Sequence, residues 1–121
     1  MANILIVDDD VETVKLLQAI VEDDDHLTAA IYESKTAVHT IEKTMPDLVI
    51  LDIMMPEING IAICKMIKSN PVTKNIKVMI VSALKDEGTK RDCVNAGADQ
   101  FIAKPILPQI LTKQIQDLLA G

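Results

Sequence analysis

Short runs of Ile, Val and Leu alternate along this chain with longer stretches of helical periodicity, and that alternation constrains its fold more than any other feature. The clearest runs are NILIVD at 3–8, DLVILDI at 47–53, IKVMIVSA at 76–83 and a shorter DQFIAKP starting at Asp99. A weaker run, HLTAAIY from His26, reads as an edge strand. Runs that stay apolar at consecutive positions, rather than at every second one, suit parallel strands covered by helices on both faces.

The intervening stretches carry helix signals. VETVKLLQAIVE sets Val14, Leu17 and Val21 on one face. SKTAVHTIEKTM opens on Ser34 as N-cap and is stopped by Pro46. GIAICKMIKS groups Ile61, Cys64 and Ile67, and Asn70-Pro71 closes it. KDEGTKRDCVNAG ends at Gly97, a left-handed C-cap, and LPQILTKQIQDLL carries a stripe of Leu111, Ile115 and Leu118 with Pro108 in its first turn. Five repeats of strand then helix predict a parallel sheet with right-handed crossovers. All 121 residues form one domain, an α/β three-layer sandwich on a five-stranded sheet. An eight-stranded barrel needs about twice the length.

In such folds ligands bind beyond the C-terminal ends of the strands. The residues expected there are Asp8, Asp9 and Asp10 after the first strand, Asp52 in the third, Ser82 in the fourth and Lys104 in the fifth. Apolar strands have no structural need for such ends. Asp10 reads as a helix cap. The other carboxylates repel one another, and a hard divalent cation resolves that repulsion. Mg²⁺ takes oxygen ligands, here from Asp9 and Asp52 with Asp8 holding a metal-bound water. A carboxylate is also a nucleophile toward phosphorus. Transfer of a phosphoryl group to Asp52 needs its oxygens neutralised, by the cation, by the Lys104 ammonium and by the Ser82 hydroxyl.

Composition excludes other roles. With one Phe, one Tyr, no Trp and a net charge of −6, the chain lacks both the aromatics and the basic surface of a nucleic-acid binder. Cys64 and Cys93 have no CxxC spacing and read as free thiols of a reducing compartment. No run has the form of a signal sequence or the length of a membrane span, so a cytoplasmic location is expected. The methionines read as core filler, His39 as a surface residue and the acidic run 22–25 as a solvated loop.

Asp8-Asp9 in IVDD, Asp52 with Met55-Pro56 and Gly60 in LDIMMPEING, Ser82 in VSA, and Lys104-Pro105 occur in order at helix-length separations. In this, the sequence resembles the response-regulator receiver domain over essentially its whole length. The resemblance implies a CheY-like, flavodoxin-type strand order 2-1-3-4-5. It implies that Asp52 takes phosphoryl from a sensor histidine kinase or phosphotransfer protein, in a two-component system or phosphorelay. It implies a Mg²⁺ site of Asp8, Asp9, Asp52 and the Met54 carbonyl, a switch pair of Ser82 and Phe101, and a cis Lys104-Pro105 peptide. Such a domain catalyses only its own phosphorylation and dephosphorylation. It signals to a downstream effector through the fourth helix, fifth strand and fifth helix, and a homodimer through those helices fits the family. Phe101 stands where many members have Tyr, and the apolar Met54 and Leu84 imply a long-lived acyl phosphate.

Other readings fit less well. A haloacid-dehalogenase-type phosphatase wants Thr or Val where VDDDVET has Glu12. A calcium loop wants glycine where Thr13 stands, and a flavin or nucleotide site wants a Gly-rich loop after the first strand. A receiver fold working as a phosphorylation-independent interaction module is the remaining alternative.

Overall fold

The computed structural model describes residues 1–121. Five strands, β1 (Asn3–Val7), β2 (Leu27–Ile31), β3 (Leu48–Leu51), β4 (Lys77–Ser82) and β5 (Gln100–Ala103), alternate with helices α1 (Val11–Asp23), α2 (Ala37–Thr44), α3 (Gly60–Ser69), α4 (Glu87–Asn95) and α5 (Pro108–Ala120). All neighbours pair in parallel, in the order β2-β1-β3-β4-β5. The weak run is therefore an edge strand, as expected.

The continuous apolar runs are explained by two cores. Successive strand residues point to opposite faces, so Ile4, Ile6, Leu48, Ile50, Met79 and Val81 pack against Val14, Leu17 and Val21 of α1 and Leu111 and Ile115 of α5. Leu5, Val7, Val49, Leu51, Val78 and Ile80 face the other way, toward Ala37 and Ile41 of α2, Ile63, Cys64 and Ile67 of α3, and Cys93 of α4. Each fully buried aliphatic side chain contributes about 1.5–3 kcal/mol.

Helix starts follow local chemistry. Asp10 accepts from the Thr13 N–H, Asn59 from Ala62 and Asp86 from Thr89, each capping a helix N-terminus. Gly97 takes the left-handed conformation after α4, with φ +94°. At the N-terminal rim of the sheet, the Lys68 ammonium bonds the Ile76 carbonyl at 2.7 Å and the Asp99 carboxylate at 2.9 Å.

Several expectations are corrected. Ser34 does not cap α2; a 3₁₀ turn over Ser34–Thr36 precedes the helix, and Ser34 itself is buried. The inward residues of α3 are Ile63, Cys64 and Ile67, with Ile61 only half-buried, because the helix turns its 60, 63/64, 67 face to the sheet. The third strand stops at Leu51, one residue before Asp52. Only Met55 and Met79 among the methionines are core; Met1, Met45, Met54 and Met66 are exposed. Both cysteines are free and buried.

Candidate functional site

The parallel sheet sends every strand's C-terminal end to one rim. Asp8 follows β1 directly, and its N–H continues the ladder to the Ile31 carbonyl at 3.1 Å. Asp52 does the same beyond β3, its N–H reaching the Val7 carbonyl at 3.1 Å. Both carboxylates are thus carried by rigid sheet backbone, and both are buried, while Asp9 is exposed. Carboxylate oxygens from Asp8, Asp9 and Asp52 all lie within 4.8 Å of one another.

Each buried carboxylate has a local donor. Asp8 Oδ1 accepts from the Asp10 N–H at 2.9 Å, and Asp52 Oδ1 accepts from the Ile53 N–H at 2.9 Å. Lys104 leaves the end of β5 and sets its Nζ 3.7 Å from Asp8 Oδ2 and 3.7 Å from Asp52 Oδ1. It is the one cation paired with either group. The Lys104-Pro105 peptide is cis, and the Lys104 N–H bonds the Ser82 carbonyl at 2.9 Å, joining the ends of β4 and β5.

One ammonium does not balance three carboxylates. Burial pushes the Asp8 carboxyl up to about 6, with the neighbouring charges of Asp52 and Asp9 adding to the rise against the Asp10 N–H and Lys104. Burial also raises Asp52, against the Lys104 charge and the Ile53 N–H. The cluster is short of positive charge. The carboxylate oxygens lie near enough to serve one small cation, and the donor set, all hard oxygen, suits Mg²⁺ in its chemistry.

The remaining residues stand further off. Ser82 is 1% exposed at the end of β4, and its Oγ accepts from the Leu84 N–H at 3.0 Å without bonding to any carboxylate. The Met54 side chain is 65% exposed and turned to solvent beside the cluster, and Leu84 is also exposed. Phe101 is half-buried and packs on the α2–α3–α4 core. It lines two shallow hollows of about 240 and 310 Å³ on either side of β5.

Two features of the site have weaker sequence signals. Gly60 is needed because a Cβ there would sit 2.0 Å from the Asp52 carbonyl oxygen. Ser34 bonds the loop after Asp52: its hydroxyl donates to the Pro56 carbonyl at 2.5 Å and accepts from the Ile58 N–H at 3.1 Å. The helical spacing of Ser34 with Ala37 and Ile41, both buried, is the signal that sets it on an inward face.

Comparison with known proteins agrees with this arrangement. The family model of the response regulator receiver domain matches residues 4–116. Response regulator PleD of Caulobacter vibrioides is 32% identical over 117 residues, which are 97% of this chain and 26% of that protein. The chain therefore spans about a quarter of the length of that relative. A solved structure from Chloroflexus aurantiacus superposes with a TM-score of 0.95 at 30% identity, covering 99% of this chain and 98% of the other. The signal receiver domain of a signal transduction histidine kinase from Syntrophus aciditrophicus gives a TM-score of 0.93 at 33% identity, covering 100% and 92%. With its rim of carboxylates, its strand order and these relatives in agreement, the chain belongs to the response regulator receiver domains of two-component signalling.

Proposed function

We propose that Asp52 accepts a phosphoryl group in a Mg²⁺-dependent reaction and that this switches the domain's output face. The observation that carries the reading is the charge-deficient cluster itself: three carboxylates within 4.8 Å, with a lysine 3.7 Å from two of them. Asp52 Oδ1 is held by the Ile53 N–H and faces Lys104, so the other oxygen is free to attack phosphorus. With a phosphohistidine donor, the new O–P bond forms as the P–N bond breaks, and the bonding pair leaves with the imidazole nitrogen. Asp9, Asp52 and the Met54 carbonyl would hold Mg²⁺, with Asp8 orienting a metal-bound water. When bound, the ion neutralises charge on the phosphoryl oxygens. Lys104 neutralises a second oxygen. Ser82 donates to a third, since its Oγ accepts from Leu84 and its own proton is uncommitted.

The donor is a sensor histidine kinase or phosphotransfer protein, and the reader an effector domain or protein. Recruitment of Ser82 to the phosphoryl group draws β4 inward, and Phe101 on neighbouring β5 follows as the switch. Dimerisation through α4 and α5 and a cytoplasmic setting complete the proposal; no helix is long and apolar enough to cross a membrane.

Incubation with acetyl phosphate and Mg²⁺, followed by intact mass measurement, tests this. A single phosphoryl adduct is expected that requires Mg²⁺ and is absent in Asp52→Asn. No adduct in the unaltered protein would favour a phosphorylation-independent interaction module. Multiple turnover of phosphate esters would favour a phosphatase.

A further inference from the structure

The segment 53–59 carries the Met54 carbonyl and is held by a few short-range bonds of its own. Within it, the Met55 N–H bonds the Ile53 carbonyl at 3.1 Å and the Ile58 N–H bonds the Pro56 carbonyl at 2.9 Å; the Gly60 N–H closes the loop onto Ile53 at 3.0 Å. The Pro56–Ile58 contact is a γ-turn, and its central residue, Glu57, has φ +73°. This left-handed form of the γ-turn is rare and strained for a residue with a side chain. Something outside the segment must hold it.

Besides the bonds that α3 makes to Ile53 and Asn59, Ser34 makes the only hydrogen bonds from another element to this segment, and it makes both to the γ-turn. Its hydroxyl sits between the Pro56 carbonyl and the Ile58 N–H, satisfying the two ends of the turn at once. The serine is 4% exposed, so water does not compete for these bonds. The exposed Lys35–Glu57 pair at 3.6 Å joins the same two loops but is open to solvent and screened. On either side of Met54, the Ile53 and Met55 side chains are anchored in the core, and the Ser34 brace fixes the turn that follows Met55.

We infer that Ser34 is a positioning residue for the metal and phosphoryl site: by bracing the γ-turn it sets where the Met54 carbonyl points. This rests on the reading of the cluster as a Mg²⁺-dependent phosphoryl acceptor. Ser34 touches neither metal nor phosphoryl group. It acts through backbone, as residues one shell removed from a metal commonly do.

The test compares Mg²⁺ affinity by calorimetric titration in the full chain with amide exchange at Ile58. Ser34→Ala is expected to weaken Mg²⁺ binding about tenfold and to speed exchange at the Ile58 amide. Thr73→Ala is the control, since Thr73 is 2% exposed and its hydroxyl bonds the Ile67 carbonyl at 2.8 Å at the far end of α3. It should lower the melting temperature and leave Mg²⁺ affinity unchanged. Adding Glu57→Gly to Ser34→Ala relieves the positive φ and should restore part of the affinity. That double variant carries the comparison should Ser34→Ala alone fail to fold. Unaltered Mg²⁺ affinity in Ser34→Ala, an equal loss in Thr73→Ala, or no recovery with Glu57→Gly overturns the inference. Unaltered protein that binds no Mg²⁺ refutes the proposed function instead, and this inference with it.

Discussion

Asp8 shows how far one residue's surroundings reach. Its carboxyl is raised to about 6 from the ordinary 3.8. Between about pH 4 and pH 6 the folded protein therefore holds a proton that the unfolded chain releases, so in metal-free protein this group's contribution to stability falls as pH rises through that window. Roughly two pH units correspond to about 3 kcal/mol at neutral pH. Asp8→Asn should stabilise the metal-free domain by an amount on that order at pH 7 and flatten the slope between pH 4 and 6 in urea melts. An unchanged slope would show that Asp8 is not the group responsible. Gly60 belongs to the same scale. Gly60→Ala drives a methyl into the Asp52 carbonyl, which β3 and the 53–60 loop hold in place. We expect a stability loss of about 1–3 kcal/mol, the usual cost of overpacking, together with weakened Mg²⁺ binding by titration. Full stability with native Mg²⁺ affinity would contradict this account. Asp8, Asp9, Asp52 and Lys104 stand out in the sequence because charges at the ends of apolar strands do nothing for the packing there. It conceals Ser34, because a serine before a helix looks like a cap whether it bonds its own helix or a neighbouring loop.

Among the elements, legibility follows burial. β1, β3 and β4 are covered on both faces and announce themselves as unbroken aliphatic runs; β2, at the edge, is half-exposed and reads weakly. Boundaries are less visible. The apolar pattern runs past Leu51 through Asp52 to Ile53, yet the ladder goes no further than the Asp52 N–H, because the Asp52 carboxylate takes the Ile53 N–H. α4 is the least anchored helix of its face. It buries Cys93 alone, where α3 buries Gly60, Ile63, Cys64 and Ile67. Few buried contacts mean low-energy local opening, so amides of α4 should exchange at least about tenfold faster than those of α3 or α1 in native-state hydrogen exchange. Equal protection in α3 and α4 would count against that view. Such a helix is a natural element for a phosphoryl-biased equilibrium, because little packing resists its movement.

At the scale of the molecule, parallel strands concentrate the chemistry. One rim gathers Asp8 and Asp9, Asp52, Ser82 and Lys104 from four strand ends, and the other is closed by the Lys68–Asp99 clamp. The architecture could be inferred from periodicity alone. Which rim residues touch could not, since contact depends on loop paths that leave little trace in hydropathy. The direction of the strands also decides how the domain can be built into something larger. β1 begins at the clamped rim, and α5 returns to it, where the Gln116 amide lies 3.4 Å from Asp24 at the end of α1. Polypeptide entering before Asn3 or leaving after Ala120 does so on the side remote from the carboxylates. The domain is a cartridge with its plug at one end and its wiring at the other: cargo spliced to either terminus would leave the rim around Asp52 open.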